Sequence, residues 1–296
     1  MSDHPLARLG WRAELQNHLG DPSLVPARVL AVDRGSVVVD AGDRSWRAPL
    51  AGRLRTMPAT GDFVAALPDG PVRAVLPRRG VIARRGEGGR PEVLAANVDL
   101  ALLATSPNRD LKPRRLARFL AITARGEVDA VVLLTKADLV DDPAAVAAGL
   151  HAGLDGTPVL PVSAVTGAGL AELRTLLEPR RTAVMLGTSG VGKSTLLNVL
   201  LGEERQPTRP IRESDDRGRH TTVRRELVPL PGGALLVDTP GLRLVAPLED
   251  ADEEVPMLDK AQLKRERRAR EREFHRGIYR EMRARKRDRE RREDRY

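Results

Sequence analysis

Apolar and polar positions along this chain follow two different periods, and the change of period divides it. The lead, residues 1–25, holds one short helical piece, Pro5–Leu19. From Pro26 to Pro77, short apolar and β-branched stretches are separated by Gly, Asp and Pro turns: Ala27–Val32, Ser36–Asp40, Ser45–Pro49, Asp62–Leu67 and Val72–Leu76. Strands at this spacing predict a small antiparallel barrel over 26–80, with an irregular sandwich fragment as the alternative. Residues 78–96 carry no clear period, and 81–96 reads as a linker. From Asn97 onward, continuous apolar runs alternate with helical stretches. The runs are Val98–Ala104, Ala130–Thr135, Pro158–Val162, Ala183–Leu186, Val223–Leu230 and Ala234–Val237; the helices fall at 112–125, 143–152, 168–178 and 193–202. Such alternation predicts a mainly parallel α/β sheet over 97–247, which binds ligands at the carboxyl ends of its strands.

Composition changes the picture mostly by exclusion. The 296 residues contain no cysteine, which rules out disulfides, a thiol nucleophile and a cysteine-built zinc site. The 5 histidines are scattered, so a histidine metal centre is not expected either. No apolar run reaches the ~18 residues of a membrane span. The opening MSDHPLARLGWRAEL lacks the pattern of a secretory signal, so a cytoplasmic protein is expected. The net charge is +9, and Met257–Tyr296 carries 17 Lys and Arg against 9 Asp and Glu. A basic helical tail, 257–296, therefore follows an acidic linker, 248–256, on a nearly neutral body. Tails of this kind meet nucleic acid or acidic surfaces. Phe274, Ile278 and Met282 give the tail one short apolar stripe.

The chemistry concentrates in five short segments. Gly187-Thr188-Ser189-Gly190-Val191-Gly192-Lys193-Ser194 is a complete phosphate loop between an apolar strand and a helix that begins with Ser194 and Thr195. Its glycines let backbone N–H groups surround phosphate oxygens, Lys193 reaches the β and γ phosphates, and Ser194 can ligate Mg²⁺. Thr135-Lys136-Ala137-Asp138 ends a second apolar strand. A carboxylate at Asp138 can accept from N1–H and the exocyclic amine of guanine, a donor pair adenine lacks. Ser163-Ala164 closes a third strand beside it. Asp238-Thr239-Pro240-Gly241 ends a fourth, where Asp238 can hold the magnesium water shell and the Gly241 N–H can touch a γ-phosphate. Between loop and turn lies Arg217-Gly218-Arg219-His220-Thr221-Thr222, in which Thr221 or Thr222 can complete the magnesium sphere.

Together these motifs resemble those of Ras-like and translation-factor GTPases, but TKAD and SA precede the phosphate loop instead of following it. With the barrel, GRHTT in the first switch, and LGW, GRLR, VLPRR, LAANVD and RRLARFL, the chain resembles the RsgA (YjeQ) family. The resemblance implies a circularly permuted P-loop GTPase domain of α/β class with a mainly parallel sheet, an N-terminal OB-type barrel, GTP or GDP with Mg²⁺ as ligands, and a role late in small ribosomal subunit assembly. It implies the small subunit and its rRNA as partners, no membrane, and a monomer. Three departures stand out. The family's cysteine-based zinc domain is missing, so no zinc is expected. Thr135 replaces the usual Asn, whose amide ties this loop to the phosphate loop, so weaker guanine binding is expected. Leu242 stands where Ras-like enzymes carry a water-orienting Gln, which implies slow intrinsic hydrolysis accelerated by a partner. His220 is a candidate for positioning the water or for ordering the switch. A nucleotide-gated RNA-binding module with little hydrolysis is the alternative function.

Overall fold

The computed structural model describes residues 4–52, 54–86, 91–107, 111–202 and 225–238. The acidic linker, the tail with its Phe274 stripe, and the calls at His220, Thr221, Thr222, Gly241 and Leu242 lie outside the described residues.

The central sheet grows from three strands too apolar to tolerate water on either face. These are β8 (Leu100–Thr105), β9 (Asp129–Leu134) and β11 (Thr182–Leu186), and β8 and β11 are buried throughout. Such runs belong to parallel sheets covered by helices on both sides. Period-two alternation sorts their side chains. Leu103, Val132, Leu134, Val184 and Leu186 face one way, against Leu116 and Phe119 of α1 (Pro113–Arg125) and Leu150 of α2 (Pro143–Gly153). Leu102, Val131, Leu133, Ala183 and Met185 face the other, against Leu173 of α3 (Leu170–Leu176) and Leu196, Leu197 and Leu200 of α4 (Lys193–Leu201). With β10 (Val159–Pro161), β12 (Glu226–Pro229) and β13 (Leu235–Asp238), the order runs β10-β9-β8-β11-β13-β12. All these neighbours are parallel except β12, which is antiparallel to β13.

The N-terminal strands β1 (Val25–Asp33), β2 (Ser36–Asp40), β3 (Ser45–Pro49), β4 (Phe63–Ala66) and β5 (Val72–Val75) match the predicted five. β1 pairs antiparallel with β2 and β4, β2 with β3, and β4 with β5. A parallel bridge from Leu50 to Val72 brings the end of β3 to β5 and closes the ring around Val29, Val37, Val39, Val64 and Val72. The closure order 1-2-3-5-4-1 is a five-stranded barrel of OB type. β1 also pairs with β12 through Ala31 and Glu226, so barrel and α/β strands form one eleven-stranded sheet.

Two stretches differ from the sequence reading. Pro5–Leu19 is two 3-10 turns, Ala7–Leu9 and Ala13–His18, in place of one helix. Gly10 separates them at φ 75°, and a Cβ there would meet the Arg180 carbonyl at 2.9 Å. The stretch 78–96 contains a hairpin of β6 (Val81–Arg85) and β7 (Pro91–Ala96). A register shift between Ile82 and Ala83 interrupts its alternation, which hides the period from sequence.

Arg28 fills the seam between the two halves. It is buried, stacks on Phe63 at 4.3 Å, and donates to the carbonyls of Leu9 (2.9 Å) and Asn97 (3.3 Å) and to Thr182 Oγ1 (3.2 Å). Burial pushes its guanidinium down to about 10, with Asp99 and Asp62 acting in the opposite sense, so it stays cationic at neutral pH.

Candidate nucleotide-binding site

The carboxyl ends of β9, β10, β11 and β13 lie along one edge of the sheet, as the pairings Leu134–Pro161, Leu103–Leu186 and Val184–Val237 require. The four sequence motifs follow these ends. After β11 the chain turns tightly through Gly187. A Cβ at that position would stand 2.6 Å from the Ala104 carbonyl of β8, so only glycine lets the loop start this close to its neighbour. Gly190 and Gly192 take φ of 77° and 100°, and α4 begins directly after. The Lys193 ammonium curls back over the loop and donates to the carbonyls of Gly187 (2.7 Å) and Thr188 (2.6 Å). Val191 is fully buried under the loop, whereas Ser189, Gly190, Ser194 and Thr195 are exposed.

The segment after β9 is locked to that loop by two side chains. Thr135, buried, directs its hydroxyl at the Val191 carbonyl (2.6 Å) and the Thr105 carbonyl (2.8 Å). Lys136, at φ 53°, lays its stem across the loop and donates to the Gly190 carbonyl at 2.8 Å. The missing Asn amide is thus replaced by a hydroxyl that makes the same kind of tie. Thr135 in place of Asn predicts weaker guanine binding, and in the structure its hydroxyl makes the tie between the two loops.

Asp138 stands exposed at the rim, next to Ala137, whose N–H donates to the Val162 carbonyl at 3.1 Å. One Asp138 oxygen accepts from Ser163 Oγ. Ser163 is fully buried, and its oxygen also accepts from the backbone N–H groups of Val165 (3.2 Å) and Thr166 (3.1 Å). With its hydroxyl proton committed to the carboxylate, Ser163 orients Asp138, which stays exposed. Sequence placed Ser163 beside the base and missed this orienting role. It missed Thr105 as well, whose carbonyl anchors both the N–H and hydroxyl of Thr135. The only signal was its position at the end of an apolar strand. Ala164 and Asp238 are half-buried, Asp238 being the last residue of β13.

The RsgA GTPase family model matches residues 75–246. A curated small ribosomal subunit biogenesis GTPase RsgA of Syntrophotalea carbinolica is 40% identical over 262 residues, 80% of this chain and 71% of that one. The protein of the same name from Streptomyces coelicolor is 46% identical over 233 residues, 74% of this chain and 63% of its own length. Among solved structures, YjeQ from Thermotoga maritima matches with TM-score 0.53 at 26% identity, over 74% of this chain and 75% of that one. YloQ, a circularly permuted GTPase, has the same fold at TM-score 0.52 and 20% identity, over 76% of this chain and 74% of its own. A phosphate loop that follows the TKAD and SA motifs, a sheet of matching fold and a family model spanning residues 75–246 lead to one conclusion: this chain belongs to the RsgA GTPase family.

Proposed function

We propose that this chain binds GTP and hydrolyses it to GDP and phosphate during maturation of the small ribosomal subunit, and that hydrolysis releases it from the particle. The observation that carries this reading is the locked pair of loops. Thr135 and Lys136 hold the base side against the phosphate loop, and Ser163 fixes the carboxylate that would read guanine.

In this reading Asp138 accepts from guanine N1–H and the 2-amino group, while Lys136 flanks the base beside Ala137, Ser163 and Ala164. The backbone of Gly187, Thr188, Ser189, Gly190, Val191 and Gly192 and the start of α4 at Ser194 and Thr195 receive the phosphates. Lys193 exchanges its two carbonyl contacts for the β and γ phosphates and neutralises charge as the bond from the bridging oxygen to the γ-phosphorus breaks. The residues present suit Mg²⁺: the hydroxyl of Ser194, in the first turn of α4 after the loop that leaves β11, and the carboxylate of Asp238, at the end of the neighbouring parallel strand β13, are hard oxygen donors. Thr221 or Thr222 completes that set. When bound, the ion withdraws charge from the β and γ phosphates. Gly241 meets the γ-phosphate, and His220 orders the switch or positions water. The barrel at 26–80 and the tail at 257–296 hold rRNA, and the factor acts as a cytoplasmic monomer. Among the described residues no helix is long and apolar enough to cross a membrane.

The deciding measurement is steady-state GTP hydrolysis with and without small subunits. Slow turnover alone and a large increase with subunits are expected. Lys193→Ala should drop both rates to background while the circular dichroism spectrum is kept. GTP binding without hydrolysis in either condition would instead favour a nucleotide-gated RNA-binding module.

A further inference from the structure

The helix α1 buries one face and charges the other. Leu116, Phe119 and Thr123 point into the core. Lys112, Arg114, Arg118 and Arg125 are exposed, and Arg115 is half-buried. At 3.6 residues per turn, Arg114, Arg118 and Arg125 fall within about 40° of one another and form a single stripe along the helix. Exposed Ala117 and Ala121 lie alongside it. No Asp or Glu occurs from Leu111 to Gly126.

Several arginines elsewhere in this protein are held by carboxylates. Arg44 meets Asp69 at 3.0 Å, Arg78 meets Asp62 at 2.7 Å, and Arg47 is paired with Asp33. Among the described residues, Arg114, Arg118 and Arg125 have no such partner. Two of the helix's cations, Arg114 and Arg115, also stand in its first turn with no acidic residue there, where the helix dipole disfavours positive charge. Arg114 therefore carries a local electrostatic cost that an anionic partner would relieve, whereas Arg125 stands in the last turn, where the dipole favours its charge.

We infer that this stripe docks the phosphate backbone of RNA, using Arg114, Arg118 and Arg125 as phosphate ligands. Guanidinium forks match phosphate oxygens, and the alanines between them let a polynucleotide strand come close. An acidic protein is a poorer fit. Protein interfaces concentrate energy in buried aromatic and apolar anchors, and the exposed large apolar side chains among the described residues, Val32, Met57, Leu139 and Val165, all lie off this helix. Contacts of this type position a partner and read no sequence. The inference rests on the small-subunit role proposed above only for the identity of the natural RNA. It adds a contact surface on the α/β half to the barrel and tail.

The test is the triple variant Arg114→Gln, Arg118→Gln, Arg125→Gln in the full-length chain. Binding is measured against salt, with small subunits and with a short mixed-sequence RNA duplex as probes. Loss of three phosphate contacts should flatten the log–log salt slope by roughly 2 to 3 and weaken binding about tenfold at moderate salt for both probes. Guanine-nucleotide affinity should stay unchanged, which also reports that the fold survives. Unchanged slopes for both probes would overturn the inference. So would a loss confined to subunits, which would assign the stripe to an acidic protein surface. Wild-type protein that binds the duplex but neither binds subunits nor is stimulated by them would overturn the small-subunit reading and leave the stripe supported.

Discussion

Thr135 has one proton to donate and two carbonyls within reach, so its two contacts are unequal in consequence. The Thr105 carbonyl already accepts from the Thr135 backbone N–H at 2.8 Å, whereas the Val191 carbonyl, at 2.6 Å, is the link between loops. Thr135→Val keeps the shape and removes the hydroxyl. It should cost about 1 kcal/mol of nucleotide binding, roughly fivefold in affinity, and speed nucleotide release. Thr135→Ser should bind like the parent. Titration with a fluorescent guanine nucleotide decides it, and equal affinities for parent and Val variant would make the tie incidental. Asp138→Asn should weaken GTP at least about tenfold, because two charge-assisted hydrogen bonds are lost, and should admit xanthine nucleotides, whose 2-oxo group accepts from an amide. GTP affinity indifferent to this change would move base reading elsewhere. Residue types and spacing made Asp138, Lys136 and Lys193 legible in the sequence. They could not show that a threonine hydroxyl would span to the phosphate loop. That depends on how closely the loops approach at Gly192, where a Cβ would lie only 3.8 Å from the Lys136 stem and 3.9 Å from Thr135.

Among elements, those that bury a whole face announced themselves. The helices at 113–125 and 143–153 and the apolar strands lie where periodicity placed them, since each fills a core position every few residues. The β6–β7 hairpin did not, because Ile82 and Leu94 are its main anchors and a bulge breaks its alternation. Its position depends on contacts with distant elements. Val81 donates to the Gly126 carbonyl at 2.8 Å, and a Cβ on Gly126 would sit 1.6 Å from the Val81 carbonyl. Gly126 has φ −88°, which any residue adopts, so Gly126→Ala tests that contact without backbone strain. The variant should lose about 2 kcal/mol and expose the hairpin amides to faster hydrogen exchange. If exchange in 81–96 is unaltered, the hairpin does not depend on its seat against α1. The hairpin also supplies Glu92, which pairs with Arg84 at 2.8 Å and with Arg225 at 3.4 Å. Arg225 stands three residues after GRHTT in the sequence. The hairpin is thereby fastened to the residue that leads into β12.

At the scale of the whole molecule, the barrel and the α/β half share one sheet, and this was not legible in the sequence. The pairing of Ala31 with Glu226 joins positions too far apart in the chain to leave a periodic trace. Arg28 was equally hidden, since an arginine inside a predicted strand reads as an exposed position. In the structure it joins the lead at Leu9, the chain entering the α/β half at Asn97, and the first residue of β11 at Thr182. Thr182 lies at the opposite end of the strand that launches the phosphate loop, so the seam and the nucleotide site share one rigid element. The two halves should therefore unfold together. In a Trp11→Phe background, taken as the parent, Trp46 on β3 is the remaining tryptophan and reports on the barrel, and far-ultraviolet circular dichroism reports mainly on the helices of the other half. In the parent protein the two probes should give coincident denaturation curves. Arg28→Ala leaves two backbone carbonyls and a hydroxyl without their donor and opens a cavity beside Phe63. Relief of the buried charge offsets part of that loss, and a net destabilisation of about 3 kcal/mol is expected. With the seam opened, the fluorescence and dichroism transitions should separate. Separation already present in the parent, or coincident and unshifted curves in the variant, would show that the seam does not couple the two halves.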